Sequence, residues 1–374
     1  MKGTRGIAAS IALGIGSLAA LLLALELGLR AFAAFSEEDF DALMDQPRDV
    51  EDGPLHLLDL IRRHPDPGIV YTLRPGTRGL FHGRAVRINA LGMRGVERAR
   101  EKPPGTFRVL ALGDSHVFGW KVEEEEAFPA VVEELLARRS DMRVEVLNAG
   151  VPGYNAMQEV RTFELLVDDL DPDLVLINYV DNDMDLPNFL AEPVDVWRLR
   201  TSFLAELVRK RMARLRGWHL FPGRMVAVPV GPEDRYRLPP DRIPERYRGL
   251  QGWKALLAAY GRLARSAGER GLPVAVVFNW NDYRARLAGV VDDVLPAHVR
   301  QLAAFSEARG LLVIDPQERV IATLRERRLP HESLWTDPDD PHSSALRHRL
   351  VAEEIAERDP LLYRIRHAHH YRTG

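Results

Sequence analysis

Five short apolar runs, each followed by a helical pattern, constrain this chain more than any other feature. They are Phe107–Leu112, Val144–Leu147, Leu174–Tyr179, Pro273–Trp280 and Leu311–Ile314. Helical periodicity falls between and after them, at about 127–139, 156–170, 250–270, 293–309, 317–328 and 344–357. Continuous apolar runs of this length read as strands buried on both faces. Strands alternating with helices join in parallel through right-handed crossovers. The expected fold class is therefore α/β, with a parallel, roughly five-stranded sheet between two layers of helices. The alternation begins after Pro103-Pro104-Gly105, a boundary signal, and breaks between about Leu186 and Gly249. This insertion carries Arg198, Arg200, Arg209, Lys210, Arg211, Arg214 and Arg216, with Phe203, Leu204, Leu207, Val208 and Leu215 at helical spacing. It reads either as a basic amphipathic helix, on a membrane surface or capping a site, or as a solvated helix.

Residues 7–25 carry no charge. A helix there, at ~1.5 Å per residue, spans about 28 Å, the thickness of a bilayer's hydrocarbon core. Lys2 and Arg5 precede it, and Glu37, Glu38, Asp39 and Asp41 follow. The basic side stays in the cytoplasm, so the rest of the chain is expected outside. Glu26 and Arg30 fall at the outer interface. The competing reading is a cleaved signal peptide ending near Ala31-Phe32-Ala33. Residues 36–68 are acidic and then proline-punctuated, as in a linker. Ile69–Pro75 and Arg84–Asn89, with Gly79 and Gly83 between them, suggest a small β-hairpin element. The expected organisation is a cytoplasmic stub and anchor (1–35), a linker with a small β-containing extension (36–105), a main domain (106–360) and a tail (361–374).

The chain has no cysteine, which excludes disulfides, thiolate metal sites and a cysteine nucleophile. Its net charge of −3 gives no basic field for nucleic acid. The residues that can carry chemistry cluster where strands end, the place at which open α/β sheets hold their reacting groups. Gly113-Asp114-Ser115 closes the first strand, either as a turn tripeptide or as the seat of a serine nucleophile. A serine needs a base and oxyanion donors. Asp339 and His342, three apart on a proline-broken loop, supply a base and a carboxylate to orient it. Gly153 follows the second strand and Asn182 the third; one offers a backbone N–H, the other a neutral amide donor. Each is otherwise a turn or cap residue. His331 and His348 are competing bases, with His348 read as structural. His367, His369 and His370 read as a tail rather than a metal site.

Taken together, these blocks resemble the SGNH hydrolase superfamily, the GDSL esterases and lipases, over roughly residues 106–360. The resemblance implies the flavodoxin-like three-layer fold and a catalytic triad of Ser115, His342 and Asp339. It implies an oxyanion hole built from the Ser115 and Gly153 N–H groups and the Asn182 amide, with Gly150 as the alternative glycine. Val180 stands where the family has glycine, and His116 follows the nucleophile as a supporting residue. No cofactor or metal is implied. The anchor and the segment Arg87–Gly95 are similar to bacterial membrane-anchored members, some of which transfer or remove acyl groups on cell-surface polysaccharides. The resulting expectation is a periplasmic or extracellular serine esterase at the inner membrane, acting on short acyl esters of carbohydrate. An O-acyltransferase using the same residues and a catalytically silent glycan-binding module are the alternatives.

Overall fold

The computed structural model describes residues 2–35, 53–187, 202–205, 208, 245–279, 282–293 and 295–358. Two units emerge from its contacts. One comprises Met1–Gln46 and Phe189–Met225, the other Pro47–Asn188 and Val226–Gly374.

In the first unit, helix α1 runs over Lys2–Phe35. Its stretch Ala12–Ala31 has a mean hydropathy of 2.0 and is long and apolar enough to cross a membrane, as a signal sequence also would be. Glu26 interrupts the apolar surface and is well partnered. Its carboxylate accepts from Arg30 Nε at 2.9 Å, and from the backbone N–H groups of Phe203 and Leu204, each at 2.9 Å. The free amides at the start of the helical turn 203–205 are thereby satisfied.

The second unit opens with five short strands: β1 (Pro54–Leu55), β2 (Ile61–Arg63), β3 (Tyr71–Leu73), β4 (Arg78–Phe81) and β5 (Arg84–Arg87). Residues 53–68, expected as linker, thus carry β1, a helical turn at Leu57–Leu60 and β2. The two expected segments are not partners of each other. Strand β3 pairs antiparallel with β2, and β5 pairs antiparallel with β4. The β4–β5 turn is His82-Gly83, with φ of 50° and 76°. A two-residue hairpin turn of this hand needs positive φ at both positions, and glycine supplies one of them without strain.

The main sheet has five strands: β6 (Thr106–Gly113), β7 (Arg143–Gly150), β8 (Leu174–Tyr179), β9 (Val274–Phe278) and β10 (Leu312–Ile314). All are parallel, in the order β10-β9-β8-β6-β7. Successive side chains on a strand face opposite ways. Leu110 and Leu112 therefore join one core and Val109 and Ala111 the other. Of the helices between and after the strands, α2 (Ser115–Phe118) is one turn long and α3 is Phe128–Ala137. The longer α4 (Ala156–Leu170) and α5 (Gly252–Glu269) follow, then α6 (Ala297–Glu307), α7 (Gln317–Glu326) and α8 (Ala345–Ala356). Helices α4, α5 and α6 cover the Leu110 face; α3 and α8 cover the Val109 face. Phe128, Val131, Val132, Leu135 and Leu136 form the buried stripe of α3, spaced three and four apart. Each fully buried side chain of this size contributes about 1.5–3 kcal/mol. The three-layer α/β/α fold expected from the sequence is the one observed.

A last hairpin, β11 (Trp335–Asp337) with β12 (Asp340–Ser343), lies between α7 and α8. Most of the 186–249 insertion, Trp280, and the tail with His367, His369 and His370 lie outside the described residues.

Candidate active site

Two glycines place Ser115. Gly113 ends β6 and pairs in register with Gly150 at the end of β7. A Cβ on Gly150 would lie 2.3 Å from the Phe118 backbone N, and one on Gly113 would lie 2.1 Å from Val117 Cγ2. Only the bare backbone lets the one-turn helix α2 lie directly on the strand ends. Asp114 caps that turn, its Oδ1 accepting from the His116 N–H at 2.9 Å. Ser115 consequently stands at the carboxyl end of β6, next to the central strand β8.

From Ser115 a hydrogen-bond chain leads to the last hairpin. Ser115 Oγ lies 2.9 Å from His342 Nε2, and His342 Nδ1 lies 2.5 Å from Asp340 Oδ1. A carboxylate on Nδ1 fixes the ring proton there, leaving Nε2 to accept from the serine hydroxyl. The carboxylate is therefore Asp340, not Asp339 as expected. The reason is local geometry. A spacing of three suits a loop, but this segment is a strand, where residues two apart share a face. Asp340 and His342 project together, while Asp339 sits exposed in the hairpin turn, its N–H donating to Asp337 Oδ1 at 3.1 Å. Burial works against ionisation of Asp340. The hydrogen bonds from His342 and Lys121 outweigh it and hold the carboxyl well below the usual range.

Asn182 is brought to the same place. Its Nδ2 donates to Asp114 Oδ2 at 3.2 Å, the oxygen that Ser115 Oγ approaches at 3.3 Å. A primary amide has two N–H donors, so one can hold Asp114 while the other faces a ligand. Asp114 is almost fully enclosed, and burial raises its carboxyl. Val180, in place of the family's glycine, has φ −136° and ψ 173°, extended backbone that any residue adopts. Gly153 lies in the turn beyond β7 with φ 80°, a left-handed conformation suited to glycine. That turn is held from both sides: Val151 N donates to Gly113 O at 3.0 Å and Tyr71 Oη to Pro152 O at 2.9 Å. Gly150 is instead walled in under α2.

The three histidines weighed beside His342 have other partners. His116 is buried, stacks on His342 with ring centroids 5.2 Å apart, and lies 2.9 Å from Ser343 Oγ through Nδ1. Burial pushes its imidazole well below the usual value. His348 Nδ1 accepts from the Phe128 N–H at 3.2 Å, and burial lowers it to about 3. His331 Nε2 accepts from the Tyr283 N–H at 3.1 Å.

Several contributors have no motif to announce them. Trp120 stacks on His342 at 5.1 Å, and His82, at the β4–β5 turn, lies 4.8 Å from Trp120. Lys121 Nζ reaches Asp340. Arg94 is buried, and its guanidinium donates to the carbonyls of Phe118 and Val122 at 2.9 and 2.8 Å. It thus pins the segment that carries Trp120 and Lys121, and burial lowers its proton affinity to about 10. Among the described residues, no group of three or more His, Asp or Glu side chains is arranged to hold a metal.

The sequence pattern of the GDSL-like Lipase/Acylhydrolase family matches residues 111–350, which take in Ser115, Asn182, Asp340 and His342. The chain belongs to this family. It is thus a hydrolase of the GDSL type, a group that acts on ester bonds. No curated protein matches the sequence. Among solved structures, a lipase/acylhydrolase from Enterococcus faecalis is similar, with 15% identity over 69% of this chain and 96% of its own, at a TM-score of 0.38. The acetylxylan esterase Axe2 from Geobacillus stearothermophilus gives 16% identity over 67% and 92%, at a TM-score of 0.37.

Proposed function

We propose that the chain is an extracytoplasmic serine esterase, held at the membrane by α1, that removes short acyl groups from carbohydrate. The observation that carries this reading is the unbroken chain Ser115–His342–Asp340, with contacts of 2.9 and 2.5 Å. In the reaction, Ser115 Oγ attacks the ester carbonyl carbon as its proton passes to His342 Nε2. Asp340 stabilises the imidazolium so formed. The Ser115 N–H, the Gly153 N–H and the free Asn182 amide proton hold the oxyanion. Collapse expels the alcohol, which takes its proton from His342 and leaves an acyl-serine. Water, deprotonated by His342, then releases the acid. Loss of the Asn182 donor should lower turnover by about 10²–10³.

Location rests on charge. Lys2 and Arg5 precede α1's apolar stretch and acidic residues follow it, an arrangement that keeps the short basic end in the cytoplasm. Substrate class rests on the aromatic wall beside the base. Trp120 is half-buried and His82 exposed, so flat rings border the base. Such faces pack against the apolar C–H face of a sugar ring. The test is hydrolysis by the full-length protein in detergent, comparing 4-nitrophenyl acetate, 4-nitrophenyl octanoate and an O-acetylated glycan. Acetate release that disappears in Ser115→Ala is expected. Activity surviving that change would remove the serine mechanism, and preference for octanoate would remove the short-acyl assignment.

A further inference from the structure

Asp340 divides its two oxygens between two partners. Oδ1 faces His342 Nδ1 at 2.5 Å, and Oδ2 faces Lys121 Nζ at 2.7 Å. The same ammonium lies 2.7 Å from Asp337 Oδ2. Asp337 and Asp340 are register partners across β11 and β12, so Lys121 closes the hairpin at its turn end. Lys121 reaches them from a backbone with φ 59°. That left-handed conformation is unfavourable for a non-glycine residue. The Arg94 bonds to the Phe118 and Val122 carbonyls fix the chain on either side of it. A strained backbone and a buried clamp therefore hold an ammonium that is shared between Asp337 and one oxygen of the carboxylate that serves the base.

We propose that Lys121 is a positioning residue of the esterase reaction: its ammonium aims Asp340 at His342 and sets the pH at which the base becomes available. This rests on the serine esterase reading above. A carboxylate free to rotate offers His342 either oxygen in many geometries; one held on Oδ2 offers only Oδ1. A carboxylate shared with an ammonium also attracts an imidazolium less than a lone one would. Removing the ammonium should therefore move the acid limb of activity to higher pH.

The other charged or titratable groups facing His342 are few. Asp114 and His116 approach from the start of α2, His82 from the β4–β5 turn and His348 from α8, with Arg347 beside His116. Burial lowers the proton affinity of His116 and His348. Lys121 and Asp337 can be changed with Asp340, His342 and Ser115 left in place.

The experiment is the pH dependence of kcat/KM for 4-nitrophenyl acetate with the full-length protein in detergent. Its acid limb reports the free enzyme's base. Lys121→Met should move that limb to higher pH by about one to two units, the effect expected of one charge removed at roughly 6 Å at an effective dielectric of ~20–40. Lys121→Arg should leave it in place. Asp337→Asn, which strips a negative charge from the same cluster, should move it the other way. Damage to the fold cannot produce two opposite shifts. Limbs that coincide with the wild type in both Lys121→Met and Asp337→Asn, with hydrolysis still dependent on Ser115, would overturn the role of Lys121 alone. Hydrolysis that persists in Ser115→Ala would overturn the esterase reading and this inference with it.

Discussion

Asp339 and Asp340 are adjacent, and only one can serve His342. Asp340→Asn replaces the oxygen 2.5 Å from His342 Nδ1 with an amide. In the transition state this carboxylate faces an imidazolium. Two unit charges with centres ~3.5 Å apart attract by roughly 4–5 kcal/mol at an effective dielectric of ~20. Asp340 is partly exposed and shared with Lys121, so we take the lower end, about 4 kcal/mol. That converts to a fall of about 10³ in kcat. An asparagine amide can also donate to Nδ1, favouring the tautomer that cannot accept the serine proton, and this adds to the loss. Asp339→Asn changes an exposed turn residue and should alter kcat by less than about threefold. The assay is steady-state hydrolysis of 4-nitrophenyl acetate by both variants, with circular dichroism to check the fold. Loss of activity in Asp339→Asn with retention in Asp340→Asn would refute the strand geometry argued here.

Three further outcomes follow from the packing. Gly150→Ala would set a Cβ 2.3 Å from the Phe118 backbone N, forcing α2 off the sheet; it should cost about 1–3 kcal/mol in urea unfolding and slow acylation of Ser115. Arg108 is fully buried against Glu145 at 3.0 Å and also donates to the Leu170 carbonyl. Arg108→Met should therefore destabilise by about 3–5 kcal/mol in the same measurement, and a neutral result would contradict this. Glu159 is buried with neither carboxyl oxygen hydrogen-bonded, and burial together with Asp114 pushes its carboxyl well above the usual range. The folded state then holds a proton the unfolded chain has released, so stability falls as pH rises above the unfolded value near 4.5. Glu159→Gln should raise the thermal midpoint, by more at about pH 8 than at about pH 5; equal shifts would argue against a buried, protonated carboxyl.

The sheet and the position of Ser115 at a strand end were legible because both rest on local patterns. Buried parallel strands leave largely apolar runs, and Leu174–Tyr179 is found as a strand with the bounds expected. Gly113-Asp114-Ser115 followed such a run directly. His342 was legible as a late histidine near an aspartate, but its partner was not. Choosing between Asp339 and Asp340 required knowing that Asp340–Ser343 is a strand, and Asp340-Pro341-His342-Ser343 carries no apolar alternation to say so. Arg94 and Lys121 were invisible for a different reason. A cationic side chain reads as solvated, and only the fold reveals the carbonyls and carboxylates that receive it. The extension was underrated in the same way: Tyr71, Arg94 and His82 reach loops of the main domain that lie far away in sequence.

The most direct measurement is the intact mass of the full-length protein after treatment with a fluorophosphonate, followed by peptide mapping. One adduct is expected, on Ser115, absent from Ser115→Ala and formed far more slowly in His342→Ala. A folded wild-type protein that takes no adduct, or takes it on another residue, would contradict the claim that Ser115 and His342 form an activated pair.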